Sequence, residues 1–107
     1  MAKEEAARRV GRGAGRETGR SVRGRQGRRA DRVLVDLGFE PRREGERVLL
    51  ANCPFHSLAR SDPRLACGLN HAFVAGVIEG TQETATRALF DPAPGRCCVT
   101  LEEVPDA

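Results

Sequence analysis

One stretch, Asp62 to Gly80, constrains what this chain can fold into more than any other. Asp62-Pro63 is a strong helix start, because the aspartate can accept from the free N–H groups of the first turn and proline suits the first helical position. The spacing beyond it predicts a helix to about Glu79 that stops at Gly80. Leu65, Leu69, Ala72 and Phe73 fall on one face, continued by Gly76, while Cys67, His71, Val74 and Ile78 fall on an adjoining one. Gly68 and Gly76 weaken the pattern, although Gly76 could let a sheet approach the helix closely. This is the longest amphipathic element in 107 residues that contain no Trp or Tyr, so it must supply most of the core.

The segments around it predict strands. Ala30, Val33, Leu34 and Leu37 lie at i, i+3, i+4 and i+7 and form one apolar stripe of a leading helix. Gly38 sits where a left-handed residue ends such a helix, with Phe39 placed to touch Leu34 in a Schellman stop. Phe39–Arg43 and Arg47–Asn52 flank Glu44-Gly45-Glu46, a hairpin signal. The run Val48-Leu49-Leu50-Ala51 makes the second strand the better buried, and Pro41 puts the first at an edge. A second hairpin, Thr86–Phe90 and Arg96–Glu102, is closed by Asp91-Pro92-Ala93-Pro94-Gly95. A leading helix followed by ββαββ predicts an α+β domain over residues 30–104, with an antiparallel sheet and the long helix on one face.

Residues 1–29 differ in composition and read as a basic arm or linker, flexible or helical. Residues 1–30 hold ten Lys/Arg against three Asp/Glu, a balance of +7, while residues 31–107 have a balance of −4. Gly11, Gly13, Gly15, Gly19, Gly24 and Gly27 should erode an isolated helix, each costing about 1 kcal/mol relative to alanine. Composition therefore favours a solvated arm. Ala6, Ala7, Val10 and Ala14 do lie at helical spacing, so a helix supported by a partner is the other expectation. Arg8, Arg9, Arg12, Arg16, Arg20, Arg23, Arg25, Arg28 and Arg29 are the residues expected to contact phosphates, without sequence preference and with strong salt dependence.

No apolar run is long enough to span a bilayer or to serve as a signal peptide, so no membrane partner and a cytoplasmic location are expected. Thiols there stay reduced, and four cysteines read as free, metal-bound or redox-active before they read as disulfides. Cys53 and His56 are three apart at a strand exit, where a turn can bring both donors round one ion. Cys67 and His71 are four apart and share a helix face. These donors suit tetrahedral zinc, although the spacing matches no standard zinc signature. Alternation along a strand lets only one of Cys97 and Cys98 face the helix. Cys97 goes with Val99 and Leu101, Cys98 with Thr100 and Glu102. The candidate metal ligands are therefore Cys53, His56, Cys67 and Cys97, with His71 and Cys98 behind them. The bland alternative makes each cysteine a small buried hydrophobe, His56 a loop histidine bonded to a carbonyl, and His71 a polar residue at the core's rim.

The runs Leu37-Gly38-Phe39-Glu40-Pro41, Asn52-Cys53-Pro54-Phe55-His56, Ala66-Cys67-Gly68-Leu69-Asn70 and Pro94-Gly95-Arg96-Cys97-Cys98-Val99 carry a resemblance. Over residues 30–102 the chain resembles the C-terminal effector region of actinobacterial winged helix-turn-helix regulators of the ArsR/DeoR-like group, relatives of the repressor of iron–sulfur assembly operons. The resemblance implies a regulator whose winged helix would precede this region through a basic helical linker like the arm, DNA as a partner, and a homodimer. It also implies an iron–sulfur cluster. Cys53, Cys67 and Cys97 match the first, second and last ligand positions, and the third, within Gly76–Gly80, offers only Glu79. Three cysteines with a histidine or an exogenous ligand are the set this leaves.

The expected function is an effector or sensor domain of a transcriptional regulator lacking its helix-turn-helix, responsive to a metal or to redox state, with an iron–sulfur cluster or zinc as the cofactor. A stand-alone metal-binding or thiol-redox protein and a nonspecific nucleic-acid-binding module acting through the Arg/Gly arm are the alternatives. No acid/base pair, nucleophile triad or phosphate loop stands out, and Gly11–Gly15 lacks the preceding strand of a nucleotide fold, so no enzyme is expected.

Overall fold

The computed structural model describes residues 2–20, 29–51, 61–82, 86–91 and 99–103. In chain order its elements are α1 (Ala2–Gly19), α2 (Arg29–Asp36), β1 (Glu40–Glu44), β2 (Arg47–Ala51), α3 (Pro63–Gly80), β3 (Thr86–Phe90) and β4 (Val99–Glu103). The strands form one antiparallel sheet in the order β1-β2-β4-β3. The chain leaves β2 at the centre, crosses through α3 to the far edge at β3, and returns to place β4 beside β2. The architecture is the expected α+β one, and Pro41 lies on an edge strand, where its missing N–H costs no ladder bond.

Local chemistry sets the element ends. Asp62 accepts from the backbone N–H of Leu65 at 3.2 Å and so caps α3, with Pro63 opening the helix. Helix α2 closes in a Schellman motif. The N–H of Phe39 donates to the Leu34 carbonyl and that of Gly38 to the Val35 carbonyl, both at 3.0 Å. Gly38 adopts φ +101°, a conformation open to glycine at little cost. In the first hairpin Glu44 pairs with Arg47, leaving a two-residue turn with Gly45 at φ +62°. Helix α3 runs through Gly80, within a residue of the expected end. Thr81 caps the helix and Gln82 takes the positive φ, at 61°.

The core lies between α3 and one face of the sheet. Val48 and Leu50 of β2 and Val99 and Leu101 of β4 point into it, against Val74, Val77 and Ile78 of α3 and Ala30, Val33 and Leu34 of α2. Phe39 stacks on Phe73 with ring centroids 6.4 Å apart. No helix among the described residues is long and apolar enough to cross a membrane.

Of the two expectations for the arm, residues 2–19 take the helical one, and α1 packs along the side of α3 facing away from the sheet. Glu4 and Glu5 in its first turn and Arg16 in its last suit the helix dipole. Its three interior glycines, Gly11, Gly13 and Gly15, still cost about 3 kcal/mol of helix propensity relative to alanine, so the helix depends on its docking partner. The stripe that docks is not Ala6-Ala7-Val10-Ala14. Ala6 is exposed and Val10 is 64% exposed, while Gly11, Gly15 and Gly19 are buried and Ala7 is half-buried.

Candidate functional site: the face shared by α1 and α3

Small residues recur every fourth position on both helices: Ala7, Gly11, Gly15 and Gly19 on α1, and Gly68, Ala72, Gly76 and Gly80 on α3. Four-residue spacing keeps them in one stripe per helix, and small-xxx-small stripes let two backbones meet. A Cβ on Gly11 would run into the Phe73 carbonyl, and one on Gly15 into the Val77 carbonyl. On the other helix, a Cβ on Gly76 would strike the Arg8 carbonyl and one on Gly80 the Arg12 carbonyl. Contacts advance together along both helices, so α1 and α3 run parallel. Gly76 thus answers to α1 and not, as the sequence suggested, to the sheet.

The edge of this interface is ionic. Glu79 accepts from Arg8 Nη2, from Arg8 Nε at 2.9 Å and from Arg12 Nε at 3.3 Å. Hydrogen bonding from Arg8 holds the Glu79 carboxyl below its ordinary pKa, against the opposing effect of burial, and the same bond raises Arg8. With Arg8 and Glu79 side chains 52% and 35% exposed, solvent screens the pair and its net contribution is modest.

The cysteine constellation is seen only in part. Cys53, His56, Cys97 and Cys98 lie outside the described residues, as do Arg23, Arg25 and Arg28. Cys67 carries a free thiol, is half-buried and packs against the core from the sheet side of α3. One turn on, His71 points to β3. Its Nε2 lies 3.3 Å from the Ala88 carbonyl, which can only accept, so Nε2 carries the proton, and its ring meets Phe90 edge-on at 6.1 Å. Glu79, at the third ligand position implied by the resemblance, is turned to α1 and held by two guanidinium groups, which removes it from a cluster on the Cys67 side. Among the described residues no three His, Cys, Asp or Glu side chains converge as a metal site. Cys67 is the one thiol donor among them that fits zinc or iron–sulfur chemistry.

Of the arginines expected to meet phosphates, Arg8, Arg9, Arg12, Arg16 and Arg20 are all exposed along α1 and the turn after it. The sequence reading missed Glu79 as their partner and the paired stripes as the dock. The four-residue recurrence of Gly and Ala in both helices was the signal that could have found the second. No protein-family model matches the chain, and no similar curated protein or solved structure is found.

Proposed function

We propose that the chain is an effector domain of a transcriptional regulator, a switching module and not a catalyst, in which α1 is the helix that links a sensing site to DNA reading. One observation carries this. Helix α3 holds Cys67 against the core on one side and most of the α1 dock on the other, with Gly68, next in sequence, facing the Glu4 side chain, 3.5 Å from where a Cβ on Gly68 would sit. A ligand or oxidation event at Cys67 that shifts α3 against the sheet must therefore move the surface on which α1 rests. Such a domain would work in the cytoplasm, with DNA as partner, and as a homodimer.

Zinc or an iron–sulfur cluster is the group this reading expects, and it would supply the change of charge and ligation that biases the fold. Cys67 would hold it, with Cys53, Cys97 and His56 as the other donors. The test is anaerobic reconstitution of the purified chain with zinc, and separately with iron plus sulfide, followed by metal analysis and amide hydrogen exchange. The expected result is stoichiometric metal that is lost in Cys67→Ser and kept in Cys98→Ser, with altered exchange in α1 on loading. Failure to retain metal from both reconstitutions, or loading that leaves α1 exchange unchanged, would refute the sensor.

A further inference from the structure

Docking on α3 turns the arginines of the arm into a surface. On an ideal helix Arg9, Arg16 and Arg20 lie within about 40° of one another around the axis, on the side away from the glycine stripe. They are exposed and pair with no carboxylate among the described residues. Arg12 and then Arg8 continue the fan towards α3, where Glu79 reaches both. From Arg8 to Arg20 there are five arginines and a single carboxylate, Glu17. We infer that this outer face of α1 binds the phosphates of duplex DNA, and that Glu79 is its built-in competitor, occupying Arg8 and Arg12 until phosphate displaces it.

The residue types select the partner. The face carries no aromatic side chain on which unpaired bases could stack, which argues against single strands. A helix that lies in a lipid surface needs an apolar face, but here the face opposite the arginines is glycine and alanine buried on α3. Val10 is the one large apolar side chain exposed along α1. What remains is a row of guanidinium groups suited to a phosphodiester backbone, binding by charge and counterion release. Glu79 offers the same guanidinium groups a carboxylate at hydrogen-bonding distance, so DNA must exchange one anion for another at Arg8 and Arg12. This surface needs no metal at Cys67, so it stands or falls separately from the sensor reading.

Fluorescence anisotropy with a labelled duplex of arbitrary sequence, about 20 bp long and titrated between ~50 and ~200 mM salt, tests the inference. Glu79→Gln should tighten binding about threefold or more and steepen the salt dependence by roughly one to two units, as two more guanidinium groups become available. Glu79→Asp, which keeps the charge, should bind like the parent chain. The triple change Arg9→Gln, Arg16→Gln, Arg20→Gln should weaken binding at least tenfold, whereas Arg87→Gln, on β3, should not alter it. Vesicles of phosphatidylserine and phosphatidylcholine should bind more weakly than the duplex. Unchanged or weaker binding by Glu79→Gln would overturn the competitor role, as would tighter binding accompanied by a loss of helical circular dichroism, which would signal an undocked α1. An unaffected triple variant, or equal binding to vesicles, would overturn the surface itself.

Discussion

Gly76→Ala isolates the helix contact on which the function argument depends. The added Cβ would sit 2.9 Å from the backbone nitrogen of Arg12 and closer still to the carbonyl oxygen of Arg8, both on the main chain of α1. No rotamer can relieve a clash with backbone, so the two helices must separate by more than ~1 Å to restore ordinary contact, and gaps of even ~0.5–1 Å forfeit a quarter to a half of each dispersion well they open. Overpacking of this kind costs about 1–3 kcal/mol, and alanine's better helix propensity returns up to about 1 kcal/mol. Because both atoms struck are backbone, the cost lies in the upper part of that range, about 2–3 kcal/mol, so the net expectation is a loss of about 1–2 kcal/mol and a Tm lower by roughly 4–15 °C, with faster amide exchange throughout α1. Gly13→Ala is the control, since Gly13 is exposed in the same helix and its Cβ would have nothing within 4 Å. That change should instead stabilise by about 0.5–1 kcal/mol. Thermal melts and hydrogen exchange on the two variants decide the matter. If Gly76→Ala raises Tm as Gly13→Ala does, the close parallel packing of α1 on α3 is refuted.

Two further outcomes follow from the same contacts. Asp62→Ala removes the side-chain acceptor for the Leu65 N–H at the start of α3 and should destabilise by about 1 kcal/mol in urea denaturation, with Asp62→Asn retaining most of the stability. Because Arg8 lowers the folded-state pKa of Glu79, that pair contributes fully above the ordinary glutamate value of about 4.3 and loses its contribution as pH falls through the lowered folded value. Acid titration followed by α1 amide exchange should therefore show α1 loosening as pH falls through the lowered folded value, with the extra loosening absent from Glu79→Gln. An identical pH profile in both proteins would refute the linkage.

Local chemistry was legible in the sequence wherever a single residue type forces one conformation. Asp62-Pro63 announced the start of α3, Gly38-Phe39 the end of α2, Gly45 the first turn, and Pro41 an edge strand, because capping, positive φ and a missing N–H depend on nearest neighbours alone. The apolar spacing of residues 62–80 likewise carried the long helix and hence the α+β class. What only the tertiary structure decided is the fate of the arm. Its glycines read by themselves as a cost to helix and as a reason for disorder, because propensity counts each residue against solvent. Against α3 the same glycines become the means by which two backbones meet, and the arginines between them are sorted into a solvent face and a pair held by Glu79. That sorting needs the second helix in place, with Glu79 lying 71 residues beyond Arg8 and 67 beyond Arg12, and no local rule contains it.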